Sequence, residues 1–421
     1  MSASLRIIRA SQVQAQLRDP VEADVLAGAE KIVADVRAGG DAALRHFAEK
    51  FSEVSVGAPL TLSPAELRKV FDSISAQDQQ LLTRVADRIR GFAEAQRDAL
   101  KPMTHPLPGG EAGHWIAAVD VAGCYAPGGK FPLPSSVLMT AVTARAAGVK
   151  TVVVASPKPT PITLAAAHVA GADLFLSCGG AHAIAAMAFG TASVPRADVV
   201  VGPGNPWTTA AKKIVSGYVA IDMLAGPSEL LVYADASADP AIIAADLLAQ
   251  AEHGADSLPV LVTASEKLIG EVNGEIARQL ATLPTRATAS AAVTNGYAVL
   301  VKDEEEAVRV IDAIAPEHLE LLCANADLLA TRVNHYGAAF VGAGAAEVLG
   351  DYGAGPNHTL PTGGTARFTG GLSVFHFLRI RTWMRVNDLG AARQLVADAR
   401  DLGRHEGLEA HARAAEARLA N

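Results

Sequence analysis

Short runs that are apolar throughout recur along the chain: IAAVDVAGCYA, KTVVVAS, DLFLSCGG, DVVVGPGN, ELLVYAD, PVLVTAS, YAVLVK and AAFVGA. Most end in Gly, Pro or Ser. A strand with one wet face alternates apolar and polar residues, whereas a strand covered on both faces does not. Between the runs lie stretches with apolar positions three and four apart, at 134–148, 160–171, 206–216, 239–252 and 303–314. Repeated strand–helix alternation of this kind predicts a doubly wound α/β fold with parallel sheets. The pattern forms two blocks, divided near Gly226-Pro227-Ser228.

The flanks read differently. Residues 24–49 and 64–99 have helical spacing, and Ser63-Pro64-Ala65-Glu66 is a helix start. Segment 388–420 is rich in Ala and charge, with an apolar stripe suited to packing on a second subunit. The acidic run Asp303-Glu304-Glu305-Glu306 opens a helix, where negative charge suits the dipole.

Composition excludes several classes. The 421 residues are 50% hydrophobic and 19% charged, far from a disordered composition. A net charge of −8 and 5% aromatics argue against a nucleic-acid grip, which needs a basic face or stacking rings. No apolar stretch reaches the roughly 18 residues of a membrane span, and the first residues lack a signal-peptide core. The expectation is a soluble, cytoplasmic chain. Cys124, Cys178 and Cys323 match no zinc ribbon or disulfide framework and read as reduced core residues.

Several segments carry chemistry. Ala126-Pro127-Gly128-Gly129, Gly179-Gly180 and Gly202-Pro203-Gly204-Asn205 are glycine-rich turns after strands. Such turns let backbone N–H groups approach an anion at a helix N-terminus. None matches G-x-G-x-x-G or the Walker pattern, but their clustering over 125–205 points to a nucleotide-like ligand. Gln250 and His253 project from one helix face, either as half of a metal site or as a surface pair. Glu317 and His318 set an acid beside an imidazole after Pro316, a pairing suited to acid–base work or to an exposed polar turn. The loop 350–367, GDYGAGPNHTLPTGGTAR, offers Asp351 as a hard oxygen ligand and His358 as a substrate contact. Glu406 and His411 lie in the final helical segment.

The segments YAPGGKFPLPSSVLMTAVTARAAGV, GPGN, AGPSELLV, LLAQAEHG, APEHLEL, GDYGAGPNHTLPTGGTAR and EGLEAH follow one another in the order seen in histidinol dehydrogenases. The chain resembles that family over roughly residues 25–415. The resemblance implies two Rossmann-like doubly wound domains without a GxGxxG motif, plus helical extensions in an intertwined homodimer. The implied division is 1–25 as a helical extension, 26–120 with 230–367 as the domain carrying metal and acid–base residues, 121–229 as the NAD side, and 368–421 as a helical arm reaching the partner.

By the same resemblance the enzyme is zinc-dependent and oxidises L-histidinol through the aldehyde to L-histidine, reducing two NAD. Its zinc ligands would be Gln250, His253, Asp351 and His411, the last supplied across the dimer. His318 would accept the hydroxyl proton and Glu317 would activate water. Ser228, His358 and Glu406 match substrate contacts, alongside Gln250, His253, His318, Asp351 and His411. Tyr125 and Asn205 match cofactor positions, while His182 stands where the family usually has Gln. Arg379, Arg381 and Arg385 are a second departure. Arginines there could serve a relative that oxidises another primary alcohol, such as an anionic, sulfonated diol, or lie on a helix or strand surface at the dimer interface. A zinc hydrolase using Glu317 on bound water is a further alternative, against which the glycine-rich turns argue.

Overall fold

The computed structural model describes residues 4–13, 21–128 and 131–419. Gly129 of the first glycine-rich turn therefore lies outside the described residues, as do 1–3 and 14–20 of the N-terminal segment. The described chain divides into two compact units, 1–94 with 119–377, and 95–118 with 378–421.

The larger unit contains two six-stranded sheets. The first has the order Arg6–Arg9, Tyr297–Leu300, Leu258–Thr263, Glu229–Ala234, His318–Leu322, Ala338–Val341, parallel throughout. Its strands feed two cores by turns. Leu230, Val232 and Leu261 face a core closed by the helices Pro240–Ala251 and Glu266–Leu280. Leu231, Val260, Val262, Leu319 and Leu321 face the opposite core, where Val310 and Ile311 of the helix Glu304–Ile314 join them. Both faces are dry, which is why these runs carry no polar alternation.

The second sheet has the order Thr61–Leu62, Leu174–Leu176, Thr151–Ala155, Val121–Tyr125, Val199–Val201, Ala220–Ile221. It is parallel except for the two-residue strand Thr61–Leu62. From Val121–Tyr125 the chain runs first to one side and then returns to add Val199–Val201 on the other. That reversal is a topological switch point.

The expected helices form: Pro134–Ala147, Pro161–Val169, Pro206–Val215, Pro240–Ala251 and Glu304–Ile314. Ser63 caps Pro64–Ser73 in a capping box with Glu66, and Asp303 caps Glu304–Ile314.

Three domain expectations are corrected. The N-terminal segment supplies a strand, Arg6–Arg9, that extends the first sheet beside Tyr297–Leu300. Four residues are too few for periodicity to separate strand from helix. Residues 26–120 do not accompany 230–367 as one piece: Arg88 donates to the Gly353 carbonyl, but the helix that begins the segment covers the other sheet. Val33, Val36, Leu44 and Phe47 of the helix Ala23–Lys50 share a core with Ile184, Met187 and Val200, covering the second sheet. Helical periodicity says that one face is apolar but not which sheet it covers. Finally, 368–421 is not purely helical. Leu378–Val386 is a nine-residue strand, antiparallel to Gly110–Ala118, which in turn pairs with Met103–Leu107. Only after it come the helices Arg393–His405 and Glu409–Glu416. The period-two alternation of LRIRTWMRV is the signal for that strand.

Candidate active site

In the larger unit, the carboxyl ends of the second sheet and the amino ends of the first line one cavity of about 340 Å³. Pro127, Pro203 and Gly204 come from the former; Ser228, Glu317 and His318 come from the latter. His253, Asp351 and His358 complete the polar wall.

His318 opens the strand His318–Leu322 and is buried. Its Nδ1 lies 3.0 Å from the Glu229 carbonyl oxygen. A carbonyl only accepts, so Nδ1 carries the proton and Nε2 keeps its lone pair. Nε2 has no hydrogen-bond partner and stands 3.9 Å from Asp351 Oδ1. Burial pulls the imidazole down to about 4, so the ring is a neutral base at physiological pH.

Glu317 carries the opposite shift. Ser228 Oγ donates to its Oε2 at 2.6 Å, and the Glu229 N–H donates at 2.8 Å. Burial outweighs both contacts and pushes the carboxyl up to about 8. Adjacent residues thus hold an acid raised toward neutrality and a base lowered away from charge, the separation that acid–base chemistry uses. Ser228, expected as a substrate contact, lines the cavity and also orients Glu317.

His253 and Asp351 converge from two helical segments, and Gln250 precedes His253 by one turn. Gln250 lies in the last turn of Pro240–Ala251, His253 just beyond it, and Asp351 ends the short helix Glu347–Asp351. Donor atoms of His253, Glu347 and Asp351 lie within 4.8 Å of one another. His253 Nδ1 faces the Ala249 carbonyl at 3.2 Å and donates to it, so Nε2 is left as an acceptor. That acceptor stands 3.3 Å from Asp351 Oδ2, also an acceptor. The pair needs a proton or a cation between them, and without metal the Asp351 contact raises the His253 imidazole. Burial alone would raise Asp351, yet His253, His358 and His318 hold it below the ordinary carboxylate range. Gln250 is fully buried with both amide atoms unpartnered. An amide so placed is costly unless something binds it. The donor set of amide oxygen, imidazole and carboxylate suits a borderline divalent ion.

His358 is held by Asp351 and Ser136: its Nδ1 donates to the Asp351 carbonyl at 2.9 Å, and Ser136 Oγ lies 3.3 Å from Nε2. Glu406 and His411 belong to the smaller unit, where both are exposed on the C-terminal helices. Arg379 donates to the Ala118 carbonyl, and Arg385 lies beside Glu111 and over the Trp383 ring. With Arg381 they mark one face of the strand Leu378–Val386 in the smaller unit.

Tyr125, His182 and Asn205 line a second cavity of about 480 Å³, beside Phe51, Glu53 and Trp207. The Gly180 N–H donates to Tyr125 Oη, and Asn205 caps Pro206–Val215 by accepting from the Thr208 N–H. Pro127 lines both cavities.

Sequence reasoning passed over Ser136, Glu347 and Glu53. Glu347 stands one helical turn before Asp351, a spacing that could have revealed it. Burial and then the Asp351 carboxylate push Glu347 well up. Glu53 follows a helix in a turn with no motif around it.

Parallel sheets meeting at a cleft that holds an acid–imidazole pair and an unsatisfied donor set define an α/β enzyme with a metal-competent site. A family model described as histidinol dehydrogenase matches residues 16–419. The chain is 43% identical to the histidinol dehydrogenase of Dechloromonas aromatica, covering 93% of this chain and 91% of that one. It is also 43% identical to that of Thermus thermophilus, covering 95% of each. The crystal structure of histidinol dehydrogenase from Elizabethkingia anophelis superposes with a TM-score of 0.92 at 31% identity, covering 99% of this chain and 98% of that one. The chain belongs to the histidinol dehydrogenase family and is an oxidoreductase.

Proposed function

We propose that the chain is a zinc- and NAD-dependent dehydrogenase that converts L-histidinol through L-histidinal to L-histidine. The observation that carries this reading is the acceptor-on-acceptor contact of His253 and Asp351, one helical turn from the buried and unpartnered Gln250 amide in sequence. Gln250, His253 and Asp351 would hold the zinc, and His411 of a partner subunit would complete the set. Zinc bound there would supply a Lewis acid that orients the substrate. Tyr125, His182 and Asn205 would hold NAD, which would supply the hydride acceptor for both oxidations.

The protein groups do the proton work. His318 Nε2 accepts the hydroxyl proton in the first oxidation. Its Nδ1–H bond to Glu229 fixes the ring throughout and stabilises the charge it gains. Glu317, once ionised, takes a proton from water so that the oxygen adds to the aldehyde before the second oxidation. Ser228 and the Glu229 N–H hold that carboxylate in place. His358 and Ser136 close the cavity beside Asp351, and Glu406 of the partner would face the substrate's cationic nitrogen.

The test is NADH formation from a limiting amount of L-histidinol. About two NADH per histidinol are expected, as a four-electron oxidation requires, lost on chelation and restored by zinc. His318→Asn should lose alcohol oxidation with zinc still bound, whereas Glu317→Gln should retain it and lose aldehyde oxidation. Protein that binds zinc and NAD yet forms no NADH would refute histidinol as substrate and direct the search to anionic primary alcohols.

A further inference from the structure

Outside the acid–base cleft, the described residues hold one other group of potential metal-ligating side chains: Glu53, Cys178 and His182. It is a poor metal site. Burial, and then the Glu53 carboxylate, push the Cys178 thiol up to about 12, so sulfur stays protonated where a ligand must be thiolate. What remains is a buried carboxylate–imidazole pair on the wall of the 480 Å³ cavity.

The pair is built, not incidental. His182 Nε2 lies 2.8 Å from Glu53 Oε2, and the Gly179 N–H donates to the same oxygen at 3.1 Å. The imidazole ring packs against both Phe47 and Phe51, with centroids 6.0 and 5.6 Å away. Its side chain is 2% exposed and that of Glu53 is 10%. Two donors from the start of the helix Gly180–Phe189 therefore hold a carboxylate at the carboxyl end of the strand Leu174–Leu176.

Its position in the sheet gives the pair a task. Pro127, at the end of Val121–Tyr125, is shared with the acid–base cleft, so a reactive ring must lie on that side. Leu174–Leu176 is two strands away across the sheet, on the order of 10 Å. A dinucleotide that reaches the cleft with its reactive ring leaves its second nucleoside at the Glu53 end. In open α/β sheets a carboxylate at such a place accepts from the ribose hydroxyls, and its charge opposes a phosphate on them. Exposed Lys158, also on this wall, is the cation available to the pyrophosphate.

We propose that Glu53 is the ribose-recognising residue of the cofactor cavity and selects a dinucleotide lacking a 2′-phosphate, with His182 as the positioning residue that aims its carboxylate. The proposal rests on the reading that this cavity takes NAD. It assigns His182 an indirect part, through Glu53.

The test is calorimetric binding of NAD and of NADP to the zinc-loaded protein, with no alcohol present. Wild type should prefer NAD. Glu53→Gln, which keeps the shape and can still accept from Gly179, should shift the NADP-to-NAD affinity ratio about tenfold toward NADP, as loss of one opposing charge predicts. Glu53→Ala should weaken NAD about tenfold, and His182→Ala should move the ratio in the same direction by less. An unchanged ratio in a folded Glu53→Gln variant would overturn the proposal while leaving NAD as cofactor. Wild type that prefers NADP would overturn it too. Wild type that binds neither dinucleotide would refute the cofactor reading itself.

Discussion

At the residue scale, burial sorts the ionisable groups into roles. His318 and Glu317 are neighbours in sequence, yet burial drives one down to about 4 and the other up to about 8. Desolvation disfavours whichever form is charged, so a base and an acid move in opposite directions. The same physics acts on Glu320 beneath the site. Burial and the neighbouring Asp246 carboxyl push it from an ordinary 4.5 up to about 8. Its Oε1 accepts from the Glu347 N–H, while Oε2 has no donor and becomes one toward Asp246 when protonated. Between those two values the folded chain keeps a proton that the unfolded chain has released. Stability should therefore fall as pH rises from about 5 to 8 and level off above. Melting temperatures of wild type and Glu320→Gln, taken across that range at fixed metal and cofactor, check this. The variant should lose less stability than wild type, and parallel curves would refute the assignment.

At the scale of elements, the turn after Val199–Val201 ties that strand to its neighbour Val121–Tyr125 in the second sheet. Gly202 has φ +118°, and a Cβ there would stand 2.0 Å from the Tyr125 carbonyl oxygen. Its N–H donates to Asp222 Oδ2 at 2.7 Å, and Lys212, paired with Asp222, donates to its carbonyl. Gly202→Ala combines an unfavourable backbone with overlap on a neighbouring backbone, together costing about 3 kcal/mol. A denaturant midpoint should report that loss, and Tyr125 should shift enough to weaken NAD binding as well. This glycine was legible in the sequence as part of GPGN. Its partner was not, because nothing local links residue 202 to residue 125.

At the scale of the molecule, the open matter is which chain completes each site. His411 and Glu406 lie on exposed helices of the smaller unit, and the proposed dimer would place them in the partner's cleft. Mixing His411→Ala with Glu317→Gln and measuring histidine formation decides this, because neither variant alone completes the second oxidation. If sites are shared, a mixed dimer contains one intact site, and random pairing should restore about a quarter of wild-type activity. If each chain completes its own site, no activity returns.

The sequence by itself determined the element types and the chemistry at hand. Uninterrupted apolar runs require strands dry on both faces, Ser63, Asp303 and Asn205 start helices by local hydrogen bonds, and the segments APEHLEL and GDYGAGPNH carry the reactive side chains. Tertiary structure alone decided which sheet the helix Ala23–Lys50 covers, that the amino ends of one sheet face the carboxyl ends of the other, and that Glu53 meets His182. The reason is range. Periodicity and capping are set within a few residues, whereas Ser228 finds Glu317 across 89 positions, His182 finds Glu53 across 129, and Ser136 finds His358 across 222. Contacts at those separations exist only after the sheets have packed.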